Sequence, residues 1–247
     1  MAQTKKRSKP VDDAAVIAAF AKAGAGKKIR ALKMRDVAKQ AGLDEISLRA
    51  RFPSRQSLFS AYLAEKADRI EADMARIKDF DAYPLLDKLQ TLLETEFRVF
   101  GKDRDFLRGL SRRDLFAPFP GSEHPLKDMY LETAAGFVRA ARRPGRDRRG
   151  LLDRAAEEAL WIHHNAVFSF WLGDESARGD ATSELIDKSL RLLVPALESE
   201  MLRHAGELLR FLFGSRFKEP IATLATAVKA LDLARAFGMG GARAKKA

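Results

Sequence analysis

Met34-Arg-Asp-Val-Ala-Lys-Gln-Ala-Gly-Leu-Asp-Glu-Ile-Ser-Leu-Arg-Ala-Arg-Phe-Pro-Ser-Arg-Gln-Ser-Leu58 reads as two short helices joined by a glycine turn. Val37, Ala38 and Ala41 fall on the inward side of the first helix. Gly42 supplies the left-handed backbone of the turn, and Leu43, Leu48 and Phe52 close the core. Pro53 disfavours helical geometry at Phe52 and so ends the second helix, while Ser54 is placed to cap the next. Leu48 and Phe52 share the inward face of the second helix, which leaves Glu45, Ile46, Ser47 and Arg49 facing out. The pattern is a helix-turn-helix.

The charge around the motif agrees with a nucleic-acid partner. The chain carries +11 over 247 residues, and residues 1–60 alone hold fourteen Lys and Arg against five Asp and Glu. The excess therefore belongs to one end of the chain, where a basic face gains affinity for DNA by releasing counterions. Lys5, Lys6, Arg7 and Lys9 read as a basic disordered arm over residues 1–10, whereas Lys27, Lys28, Arg30, Lys33, Arg35, Lys39, Arg49, Arg51 and Arg55 lie close to the motif.

Val37-Ala38, Ala41-Gly42-Leu43, Ser47-Leu48, Phe52-Pro53-Ser54-Arg55 and Leu58 stand in an order and spacing that resembles the DNA-binding domain of the tetracycline-repressor (TetR) family. Arg49 replaces the tyrosine usual after the recognition-helix leucine, Arg55 replaces a lysine, and Ile46 stands where a small residue is common. The resemblance covers roughly residues 12 to 75. It implies an all-α protein: a three-helix DNA-binding domain over 11–53, then a helical regulatory and dimerisation domain over 54–203. The partners it implies are a double-stranded DNA operator, a second copy of the chain, and a small apolar ligand. Residues 204–247 form a C-terminal helical extension and tail that the resemblance does not explain.

Within the motif, Lys33, Arg35 and Arg55 are candidates for phosphate contact, Glu45, Ile46, Ser47 and Arg49 for the major groove, and Arg51 is a further DNA-binding candidate. Arg49 has two readings. It can fork onto a guanine, worth ~1–3 kcal/mol of base discrimination, or pair with Glu45 one turn back, worth ~0.2–0.5 kcal/mol. Asp44 and Glu45 suit a helix N-terminus but repel phosphate.

Helical spacing continues along the chain. A helix over Val11–Ala23 is expected to cross the motif, capped by Asp12 or Asp13, and the basic link from Gly24 lacks the first glycine and the hydroxyl of a phosphate loop. A long helix runs from Ser54 to about Asp79, and further helices cover Leu85–Phe100, Phe106–Leu110, Met129–Ala141, Leu152–Leu172 and Thr182–Leu202. Arg112–Lys127 and Arg142–Gly150 read as loops; His204–Phe217 and Pro220–Phe237 read as two more helices. Leu152–Leu172 and Thr182–Leu202 are the candidate dimer helices. The aromatic residues of this half are candidates for a ligand cavity, with Phe97, Phe100, Phe137, Trp161, His164 and Phe168 as its lining; ordinary core packing is the competing reading.

Several classes lack support. The chain has no cysteine, so it has neither disulfide framework nor thiolate metal site. His163 and His164 are adjacent and point to different sides of a helix, which rules them out as a metal pair at helical spacing. No catalytic triad order or paired-carboxylate motif occurs, so neither an enzyme nor a cofactor is expected. No apolar run reaches a membrane span, and a cytoplasmic regulator released by its ligand is the expectation. The alternative is a lipid- or isoprenoid-binding accessory protein, similar to ubiquinone-biosynthesis proteins that reuse the fold without reading DNA. The replaced tyrosine, the acidic start of the second helix and the amphipathic tail favour it.

Overall fold

The computed structural model describes residues 12–28, 31–110, 115–116, 124–141 and 151–198, with 151–155 described by backbone alone. The expected arm, most of the two loops, and everything beyond Glu198 lie outside the described residues. Within them the chain is all helical, with no strand: α1 (Asp13–Gly24), α2 (Met34–Ala41), α3 (Glu45–Arg51), α4 (Arg55–Met74), α5 (Leu85–Phe100), α6 (Arg104–Arg108), α7 (Pro125–Ala141), α8 (Leu151–Gly173) and α9 (Asp180–Glu198).

The first three helices form the small bundle that the sequence suggests. α1 buries Val16, Ile17 and Phe20 against α2 and α4, and α2 buries Met34, Val37 and Ala38. Gly42 takes φ +70°, which a side chain would strain, and the next residue returns its N–H to the Ala38 carbonyl at 2.9 Å. Leu48 is fully buried and Phe52 nearly so; Ala41 and Leu43 are half-buried. Capping differs in one place from expectation. Asp12 occupies the N-cap of α1 without a side-chain bond, and Asp13 instead pairs with Arg51 of α3.

Ser54 starts α4 through a reciprocal capping box: its hydroxyl oxygen accepts from the Ser57 N–H at 3.1 Å, and Ser57 Oγ accepts from the Ser54 N–H at 3.0 Å. The buried stripe Leu58, Phe59, Tyr62, Leu63, Ala67, Ile70 and Met74 follows the helical period and faces α1, α5 and α7. The helix stops about a turn earlier than its apolar pattern suggests. Ile77 packs half-buried on the core from a 3₁₀-type turn, its N–H bonded to the Met74 carbonyl at 3.1 Å.

α5, α7, α8 and α9 build the second half around the same continuous core. Pro84 precedes α5 as expected. α7 begins at Pro125, a turn before the expected Met129, because Pro at the first helical position costs no hydrogen bond. α6 begins two residues before the expected start and packs on both α1 and α8. No described helix is long and apolar enough to cross a membrane.

Candidate nucleic-acid interface and its link to the regulatory core

α3 is seated by Leu48 and presented by the two helices behind it. Asp44 caps it, accepting from the Ser47 N–H at 2.9 Å and from the Ser47 hydroxyl at 2.6 Å. The Ser47 hydroxyl first, and then its N–H, hold the Asp44 carboxyl below its ordinary value. Ser47, a candidate for base contact, is thus engaged within the helix. Glu45 is engaged as well: Arg49 reaches it through Nε and Nη2, both at 2.8 Å, and donates Nη1 to the Pro53 carbonyl at 3.3 Å. The pair is half exposed, so the ~0.2–0.5 kcal/mol of such a contact is small beside the ~1–3 kcal/mol that a guanine fork returns. Arg49 thus pairs with Glu45 in the free helix, through a contact weak enough to yield to a guanine.

The remaining candidates lie at the start of α2, on α3 and at the start of α4. Lys33 is exposed at the N-cap of α2, and Arg35 is exposed on its first turn with Asp36 3.9 Å away. Arg51 is engaged with Asp13, and Arg55 donates Nη1 to the Leu32 carbonyl at 3.3 Å, which ties the start of α4 to the link before α2. Ile46 points outward and is 83% exposed.

Of the six candidate ligand-lining residues, five come together. Phe168 lies 5.9 Å from Phe97, 5.6 Å from Phe100 and 5.7 Å from His164, and Trp161 stacks on His164 at 4.7 Å. Phe137 packs elsewhere, 5.4 Å from Phe80. The five rings touch one another. None of the six lines the groove of about 510 Å³ whose walls carry Leu107, Leu110, Leu115 and Leu172, with Arg108 and Glu175 among its polar groups.

The partner of His164 has no local signature in the sequence. Glu96 of α5 is fully buried, and its two carboxylate oxygens lie 2.8 and 3.0 Å from His164 Nε2. Burying two such groups is tolerable only when they satisfy each other. Next to it, burial lowers the His163 pKa to about 4, with the nearby His164 adding to the effect, and His163 Nε2 lies 2.8 Å from Ser189 Oγ of α9. Among the described residues no group of three or more His, Cys, Asp or Glu is placed to hold a metal ion.

α6 joins the two halves. Phe106 does not belong to the regulatory aromatic cluster where its neighbours in sequence place it. It packs where α1 meets α4, its ring 5.2 Å from Phe20 of the first domain and 5.3 and 6.5 Å from Tyr62 and Phe59 of α4. On its other side α6 holds the end of α8: Arg104 donates to the Trp171 and Asp174 carbonyls, and Arg108 Nε donates to the Leu172 carbonyl at 2.7 Å. Two glycines permit the close approach to α1. A Cβ on Gly24 would lie 2.6 Å from the Phe106 ring, and one on Gly109 would overlap the Lys27 carbonyl. The Gly26 N–H points to the Asp105 carbonyl at 3.4 Å across the same contact.

The family model described as Tetracyclin repressor-like, C-terminal domain matches residues 88–212. No curated protein matches the chain in sequence. In fold the chain is similar to a TetR transcriptional regulator from Nitrosomonas europaea, with 16% identity over 74% of this chain and 97% of that one and a TM-score of 0.54. A structure described as the molecular basis for control of antibiotic production by bacterial hormones gives 21% identity, 78% and 100% coverage and a TM-score of 0.55. A TetR-family regulator from Streptomyces coelicolor gives 16%, 89% and 100%, and 0.50. At these identities the likeness is one of fold.

Proposed function

The chain belongs to the tetracycline-repressor-like family of transcriptional regulators, and from that premise we propose that it is a dimeric repressor, each protomer placing α3 in one half of an inverted repeat. The observation that carries this reading is the presentation of α3: Leu48 seats it, Gly42 turns it, and Lys33 and Arg35 stand exposed at the start of the α2 helix that precedes it. A twofold dimer matches the twofold symmetry of an inverted repeat, and it multiplies the specificity of a single short helix. Phe170 on α8 is 45% exposed and Leu192 on α9 is 80% exposed. Apolar side chains left open on these two helices suit burial against a second copy.

Release by a small, largely apolar ligand is part of the same reading, and the position of α6 supports it. A ligand that moved the end of α8 would pull on Arg104 and Arg108, and Phe106 would carry the displacement into the core that seats α1 and α4. The ligand acts only through its different affinity for the two arrangements, and shifting the balance from 1:99 to 99:1 takes ~5.5 kcal/mol of that difference. The test is stoichiometry and symmetry: light scattering should find two protomers on a duplex with both half-sites. Equal affinity of a single protomer for duplexes carrying one or two half-sites would refute the dimeric reading.

A further inference from the structure

At the centre of the outward face of α3 stands an aliphatic side chain with no packing role in the fold. Ile46 is 83% exposed, while Leu48 two residues on is fully buried. At ~100° per residue, Ile46 and Ala50 lie ~160° to either side of Leu48. Together they form the ridge farthest from the core, and both are exposed. A lone exposed apolar residue is common on protein surfaces; here its position and its neighbours give it meaning. Ser47 is bonded to Asp44 at 2.6 Å and Glu45 to Arg49 at 2.8 Å, so the flanking polar groups are engaged within the helix. The outermost line of α3 is aliphatic rather than hydrogen-bonding.

The major groove offers one aliphatic partner, the C5-methyl group of thymine or of 5-methylcytosine. We infer that Ile46, flanked by Ala50, reads a C5-methylated pyrimidine in each half-site. This rests on the DNA-binding reading above and adds a specificity-determining residue to it. Burying one methyl against Ile46 should change affinity about fourfold, and about 16-fold when both halves of a symmetric duplex are altered.

The experiment starts from random-sequence duplex DNA enriched on the full-length protein. In the enriched duplex each thymine is replaced by deoxyuridine, which deletes only the methyl, and each cytosine by 5-methylcytosine. Binding is measured for the native protein and for Ile46→Ala, with the unchanged melting of the variant as its folding control. The expected result is one thymine per half-site whose demethylation costs about fourfold in the native protein and nothing in Ile46→Ala. A gain at one methylated cytosine, again lost in Ile46→Ala, would support the same contact and assign 5-methylcytosine as its source. Indifference to every methyl, or equal methyl dependence in the variant, would overturn the inference while leaving DNA binding intact. Failure to enrich any sequence would instead remove the DNA-binding reading and the inference with it.

Discussion

Gly109→Ala tests the joint between the two halves. An added Cβ there would overlap the Lys27 carbonyl oxygen, lie 3.0 Å from its carbon and sit 3.2 Å from the Phe106 carbonyl oxygen. All three are backbone atoms, so no side chain can rotate to make room. Gly109 has φ −73° and ψ −12°, an ordinary conformation for alanine, so the whole effect is steric rather than torsional. The first domain must separate from α6, or both must deform; overpacking of this kind costs ~1–3 kcal/mol. For a chain of this size that lowers the melting temperature by roughly 2–12 °C. Gly101→Ala is the matched control, because its Cβ meets nothing within 4 Å and its φ of −56° and ψ of −35° suit alanine; it should be neutral or stabilising by up to ~1 kcal/mol. Calorimetry on both variants, with DNA affinity measured in parallel, decides the matter. Equal melting temperatures for Gly109→Ala and the native protein would show that the link after α1 and the turn after α6 are not in contact, and the proposed path from α8 to α1 would lose its physical basis.

Arg49→Ala should relax base preference with little change in affinity for unrelated DNA, whereas Lys33→Ala should weaken every duplex alike and flatten the salt slope by about one; identical effects in anisotropy titrations would refute that division. Glu96→Ala leaves His164 buried without its partner and should cost ~3–5 kcal/mol in urea unfolding, while replacing both residues by leucine should recover most of it. Below pH 6.5 an unfolded chain takes up a proton at His163 that the folded protein, with its pKa lowered to about 4, does not. The contribution of His163 is therefore complete above 6.5 and declines as pH falls toward 4, and His163→Gln should flatten the melting temperature over that window.

The helix-turn-helix was legible because its signals are local. Gly42 needs a left-handed backbone, Pro53 stops a helix, and Ser54 finds its capping partner three residues away. The apolar period of α4 likewise matches the residues it buries. What the sequence concealed depends on pairs far apart in the chain. Phe106 looked like one more aromatic of the regulatory half, yet it meets Phe20 across 86 residues. Glu96 carries no local signal on its amphipathic helix because its partner is 68 residues away. The link after Gly24 read as a basic loop, and its approach to α6 through Gly24 and Gly109 has no local signature. The helices expected over His204–Phe217 and Pro220–Phe237 fall outside the described residues, and so does the amphipathic tail that was one of the three grounds for the lipid-binding alternative.

Binding of the purified protein to the DNA flanking its own gene, followed by fluorescence anisotropy at two salt concentrations with unrelated DNA as competitor, tests the central claim most directly. The account predicts tight binding that resists competitor and survives the higher salt, because base contacts from α3 add to the phosphate contacts of Lys33 and Arg35. Weak binding that competitor removes and salt abolishes would reduce the basic end of the chain to non-specific attraction and contradict the account.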